Sequence, residues 1–150
     1  MPTPHYISQI LQAAASNDVD MVQMLIGTGI SPNCCLSAHR TPLHMAVAGN
    51  ATDVVTYLLG HPSIELGPVD CRGNTPLWDA VVAGRLELCH QLRAARAPLQ
   101  DGVASHVCRA AADNNSEFIE LLLKVGIALD MKVRTDVILL AHCLRATRLP

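Results

Sequence analysis

A chain of 150 residues is long enough for one domain with a continuous core; half of its residues are hydrophobic but only 3% are aromatic, so that core is aliphatic and built from many small contacts. A formal net charge of −2, with no block of one sign, argues against nucleic acid and anionic membrane as partners. Six cysteines without a regular framework or a secretion signal read as reduced thiols of the cytoplasm, and the longest apolar run, Val137 to Ala141, is far short of the ~20 residues a membrane-spanning helix needs.

Along the chain one pattern recurs. It begins at Ser8 and continues with Ala13, Asn17, Met21-Val22 and Leu25-Ile26, which predicts a helix, a turn at Asn17 and a second helix closed by Gly29. Thirty-three residues on, Thr41-Pro42-Leu43-His44 opens a second unit, followed by Ala46, Asn50, Val54-Val55 and Leu58-Leu59. Another 34 residues bring Thr75-Pro76-Leu77-Trp78, with Ala80, Gly84, Leu88-Cys89 and Leu92. The last clear unit starts 30 residues later at Ser105, with Ala110, Asn114, Phe118-Ile119 and Leu121-Leu122-Leu123, closed by Gly126.

Each position has a physical reason. Threonine caps free N–H groups at a helix start, and proline behind it lacks the donor that would be orphaned there. Small residues on the first helix allow close approach, and Asn17, Asn50, Gly84 and Asn114 are types that tolerate the left-handed conformation ending a helix. The second helix carries a wide aliphatic stripe, as in Val54, Val55, Leu58 and Leu59. Asp70-Cys71-Arg72-Gly73-Asn74 reads as a tight turn in which Gly73 supplies a positive φ; His39 stands where the preceding unit would want that glycine. Asp53, Glu87, Glu117 and Glu120 are expected on exposed sides of second helices, and Trp78 is expected to pack inward rather than anchor a partner. After Asp130 the pattern decays, and Val137-Ile138-Leu139-Leu140 is not the polar outer face that ends a repeat array. Residues 131–150 therefore read as a helix packed on the last repeat or as a face covered by something else.

The seven histidines and six cysteines carry no metal-ligand or catalytic motif. No C-x2-C, H-x3-H or HExxH spacing occurs, so no metal is expected. Gly27-Thr28-Gly29 lacks the third glycine and the strand of a dinucleotide fingerprint, and no phosphate loop or G-x-S-x-G elbow is present. The chain reads as a non-enzyme without cofactors.

The motif D-x-x-G-x-T-P-L-H-x-A, complete from Asp70 to Ala80 except that Trp78 replaces the histidine, resembles the ankyrin repeat, and the resemblance runs from about Ile7 to Asp130. It implies an all-α ankyrin-repeat solenoid of about four helix–turn–helix units with short hairpin loops. The units are 7–36, 37–69, 70–101 and 102–130, in one domain 1–150 whose residues 131–150 are a degenerate C-terminal cap or truncated fifth unit. For His44 the family implies hydrogen bonds to neighbouring backbone. It also implies a protein partner on the concave face of hairpin tips and first helices, at Ser37, Ala38, Arg40, Ala48, Gly49, Cys71, Arg72, Asn74, Val82, Ala83 and Asp113. Arg40 and Arg72 are suited there to an acidic partner or to simple solvation. Self-association through the incomplete C-terminal cap is a further mode of partnership. The runs Asn74–Leu77, Ala97-Pro98-Leu99 and His106–Ala112 resemble the cytoplasmic ankyrin region of plant voltage-gated potassium channels, and similar tails occur on amidohydrolases of the asparaginase and glutaminase type. A generic scaffold, a channel-associated regulatory domain and an amidohydrolase appendage are the three readings this leaves, with the cytoplasm, or the cytoplasmic side of a membrane, as the location.

Overall fold

The computed structural model describes residues 4–98 and 116–125. These form seven α-helices and no strand. Two compact units divide the chain, residues 1–100 and 101–150.

The first unit holds three helix pairs: α1 (Pro4–Ala15) with α2 (Val19–Gly27), α3 (Pro42–Ala48) with α4 (Thr52–Leu59), and α5 (Pro76–Val82) with α6 (Leu86–Ala94). The first helices pack side by side, α1 on α3 and α3 on α5, while α2 lies against α4 and α4 against α6. Thr41 and Thr75 are the N-caps of α3 and α5, each with proline at the first helical position, and the Thr75 hydroxyl accepts from the Trp78 N–H at 3.3 Å. α1 differs from the register of the other two by starting five residues earlier, at Pro4 rather than at Gln9. Pro4 supplies its own helix start, which the repeat spacing had hidden.

The three described first helices end in the same way. Asn17, Asn50 and Gly84 take φ of 60°, 57° and 68°, as their residue types foretold. The next residue reaches back to close the Schellman pattern: Asp18 N–H to the Ala13 carbonyl at 3.0 Å, Ala51 to Ala46 at 2.8 Å and Arg85 to Ala80 at 2.9 Å. One sharp turn per repeat sends the chain back along its own first helix. The core is in register too: Ile10, Ala13 and Ala14 match Leu43, Ala46 and Val47, then Leu77, Ala80 and Val81, and all are buried. Val22 and Leu25, Val54, Val55 and Leu58, and Leu88, Cys89 and Leu92 supply the second helices. At about 1.5–3 kcal/mol for each fully buried large aliphatic side chain, this row is what holds the stack together. Trp78 is buried within it, as packing required.

The hairpin before α5 is built on Asp70, whose Oδ1 accepts from the N–H groups of Arg72 at 2.9 Å and Asn74 at 3.0 Å, with Gly73 at φ 78°. Burial alone would raise the Asp70 carboxyl; the N–H donors of Asn74 and Arg72 outweigh it and hold the group below its ordinary range. In the preceding hairpin His39 itself takes φ 54°. A left-handed non-glycine residue costs roughly 1–2 kcal/mol, and His39 is exposed. His39→Gly is therefore expected to stabilise the chain by about 0.5–1 kcal/mol after the extra unfolded-state entropy of glycine is deducted. Urea unfolding checks it, and a lower midpoint would contradict it.

In the second unit α7 (Ser116–Lys124) buries Ile119 and Leu122, with Val125 buried just beyond it, and leaves Glu117 exposed. It is the second helix expected of the unit that begins at Ser105. That unit's own hairpin and first helix, Asp113 among them, and the C-terminal cap of residues 131–150 lie outside the described residues.

Candidate functional site

Two hairpin tips and two first-helix ends carry ten of the eleven positions expected to meet a partner. Ser37 and Ala38 are exposed on one tip, Cys71 and Arg72 on the next. The tips are joined to each other: the Cys71 N–H donates to the Ala38 carbonyl at 3.1 Å across the repeats. Ala48, Val82 and Ala83 are exposed at the ends of α3 and α5, Val82 at 59%. The tips are thus exposed and joined across the repeats, and the residues exposed at the helix ends are small and apolar.

Three of these positions carry packing duties as well. Gly49 is exposed to solvent on one side, but a β-carbon on it would land on the Ala15 carbonyl oxygen. Its missing side chain is what lets the ends of α1 and α3 meet. Arg40 donates from Nη2 to Asp79 Oδ2 at 2.6 Å, with the two side chains 29% and 16% exposed. Burial outweighs this guanidinium and leaves the Asp79 carboxyl titrating above its ordinary value. Arg40 is therefore already neutralised by a carboxylate of its own chain, while Arg72 stands exposed. Asp79 had no place in the sequence reading. The signal for it is faint, an acidic residue one repeat and five positions beyond a basic one.

Asn74 is half-buried, and its carbonyl lies 3.0 Å from His44 Nε2. His44 is fully buried and links two repeats. Its Nδ1 accepts from the Thr41 N–H at 3.3 Å and lies 3.1 Å from the Thr41 hydroxyl. One nitrogen accepts and the other must donate to a carbonyl, which fixes the neutral Nε2–H tautomer. The structural role implied for this histidine is the one it performs. Asn17 makes a similar link one repeat earlier: Oδ1 accepts from the Val54 N–H at 3.2 Å, and Nδ2 donates to Asp53 at 2.8 Å. Asp53 is thus exposed as expected, but tied to a neighbour rather than simply solvated.

Among the described residues no group of three or more His, Cys, Asp or Glu side chains is placed to hold a metal ion. Burial pushes the Cys89 thiol up to about 11, and burial with neighbouring Cys35 does the same for Cys34, so neither is a thiolate nucleophile near neutral pH. None of the described helices is long and apolar enough to cross a membrane.

A family model for ankyrin repeats, in three copies, matches residues 10–102. Potassium channel AKT2/3 of Arabidopsis thaliana is 29% identical over 128 residues, which covers 85% of this chain and 16% of the channel. Diacylglycerol kinase zeta of Rattus norvegicus is 35% identical over 92 residues, 61% of this chain and 10% of the kinase. Transient receptor potential cation channel subfamily A member 1 of Homo sapiens is 26% identical over 117 residues, 76% of this chain and 10% of that channel. The chain spans about a sixth or less of the length of these relatives, and what they share with it is a fold that is generally non-catalytic and mediates protein–protein interaction. By its repeat spacing, its capped first helices and the matching family model, the chain belongs to the ankyrin repeat family.

Proposed function

We propose that the chain is a protein-interaction module whose partner seats on the hairpin tips and first-helix ends of the second and third repeats. The observation that carries this reading is the in-register exposure of Ser37, Ala38, Cys71 and Arg72 at the tips and of Ala48, Val82 and Ala83 at the helix ends, while the neighbouring repeat positions Leu43, Ala46, Leu77 and Ala80 are spent on packing. An exposed arginine beside small apolar residues suits a partner that brings a carboxylate and an apolar side chain together. The test is affinity capture with the wild-type chain and with Arg72→Glu/Val82→Asp, both exposed positions that leave the core intact. A partner retained by the wild type and by the outer-face control Glu87→Lys, but lost by the double variant, is the expected result. Equal retention by all three chains would remove these residues from the site.

The likeness to AKT2/3 along 85% of the chain favours a second, narrower reading, a regulatory ankyrin domain working at the cytoplasmic side of a membrane with a potassium channel. Direct binding to the purified cytoplasmic cyclic-nucleotide-like domain of such a channel separates it from a generic scaffold.

A further inference from the structure

The two described hairpins are the same turn built from different residues. The His39 N–H closes on the Leu36 carbonyl at 2.8 Å and the Gly73 N–H on the Asp70 carbonyl at 2.9 Å, and both closing residues take positive φ, 54° and 78°. In the later hairpin the aspartate is buried and holds the Arg72 and Asn74 N–H groups, and glycine takes the left-handed conformation without steric cost. In the earlier one leucine stands in place of that aspartate and offers no acceptor to the equivalent N–H groups of Ala38 and Arg40, and histidine stands in place of that glycine.

Neither replacement serves the fold. Leu36 is 38% exposed and His39 is exposed as well, so what the first hairpin loses as a turn it does not regain as core. A residue held in a strained conformation with its side chain in water points to a task outside the chain. Val69 adds to this surface. It is 53% exposed, and Leu36 and Val69 each stand two residues before an end of the bond that joins the tips, from the Cys71 N–H to the Ala38 carbonyl. Two aliphatic side chains are thus open to water at matched places on adjacent tips. Among residues 36–40 and 70–74 the exposed charged side chain is that of Arg72, since Arg40 is paired with Asp79 and Asp70 is buried in its turn.

On the interaction reading above, on which this assignment rests, we propose that Leu36 and His39 are contact residues that set the specificity of the module. With Val69 and Arg72 they receive an extended segment of a partner protein that carries an aliphatic or aromatic side chain next to a carboxylate. Leu36 and Val69 cover the apolar side chain, Arg72 meets the carboxylate, and the His39 imidazole offers a hydrogen-bond donor and acceptor over the first tip.

Restoring the residues of the motif separates a contact surface from a hairpin that has merely drifted. Random dodecapeptides displayed on phage are selected on the immobilised 150-residue chain, and a peptide that enriches is synthesised and titrated by fluorescence anisotropy. The selected sequences are expected to set an acidic residue close to an aliphatic or aromatic one. His39→Gly is expected to weaken the peptide at least about fivefold while its urea midpoint rises, and Leu36→Asp at least about tenfold with unchanged helical circular dichroism. Val69→Ser, at an exposed site outside the turn, is expected to weaken it by a similar factor. Selection of no peptide, or of peptides without an acidic residue, overturns the proposal. So do His39→Gly and Leu36→Asp chains that bind the peptide as tightly as the wild type. If Arg72→Glu/Val82→Asp still releases it, the interaction reading stands without these contacts; if that variant binds it too, both fall. A lowered midpoint in His39→Gly also overturns the proposal, because His39 then serves the hairpin itself.

Discussion

Gly49→Ala is expected to lower the thermal midpoint of the chain by roughly 10 °C, although alanine is the better helix former. Helix propensity alone favours the exchange by up to about 1 kcal/mol, and Gly49 sits at φ −78°, an ordinary right-handed value that asks nothing special of glycine. Packing decides the other way. The added β-carbon would overlap the Ala15 carbonyl oxygen and come within 2.8 Å of the carbonyl carbon. The obstacle is backbone, not the end of a flexible side chain, so α1 and α3 must separate. Overpacking of this kind costs about 1–3 kcal/mol or more; a net loss near 2 kcal/mol corresponds to the shift stated, at about 4–8 °C per kcal/mol for a unit of this size. Thermal melts followed by circular dichroism measure it. An unchanged or raised midpoint would mean that the two helices do not meet there.

His44→Ala carries the other large effect, about 3 kcal/mol, from a cavity in the core and from stranding the Asn74 carbonyl and the Thr41 N–H. His44→Leu refills most of the volume and isolates the polar share, about 1–2 kcal/mol. The same site gives stability an acid limb. Burial holds the His44 pKa below its ordinary value, with Arg40 acting in the same direction and the Asn74 carbonyl, Asp79 and Asp70 opposing. Between the folded and unfolded pKa values the unfolded chain binds the extra proton, so stability from this residue is complete above pH ~6.5 and declines as pH falls below it. Asp79, raised in the folded state, works in the opposite sense, losing stability as pH rises through its own range above 3.8. Urea midpoints measured from pH 7.5 down to 5.5 (both about one unit from the histidine value) should fall for the wild type and fall less for His44→Leu. Parallel curves would show that His44 is not the titrating group.

Most of the fold is legible because ankyrin repeats are built from local signals. Thr41-Pro42 and Thr75-Pro76 mark their helix starts, and Asn17, Asn50 and Gly84 mark left-handed stops, without reference to anything distant. His39 takes up the positive φ that the motif reserves for glycine, so the hairpin is imposed by the stack on a residue that resists it. Illegible were the features set by distance between repeats. Gly49 reads as a contact position until the approach of Ala15 is seen, and Arg40 reads as free for an acidic partner until Asp79 is found beside it. The exposure of Met21 is equally hidden, since its register is that of the buried Val54 and Leu88. Among the described helices no second helix precedes α2 to cover it.

Consecutive repeats stack into one ladder that presents its hairpin tips together. The Cys71 amide tests it most directly, because Cys71 is exposed at a tip and its N–H is bonded to the Ala38 carbonyl of the neighbouring repeat. Hydrogen exchange measured amide by amide is expected to show Cys71 protected along with the Val54 amide that Asn17 holds, and both protections lost together in His44→Ala. A Cys71 amide that exchanges at the rate of an open loop, while the helices themselves stay protected, would contradict the ladder.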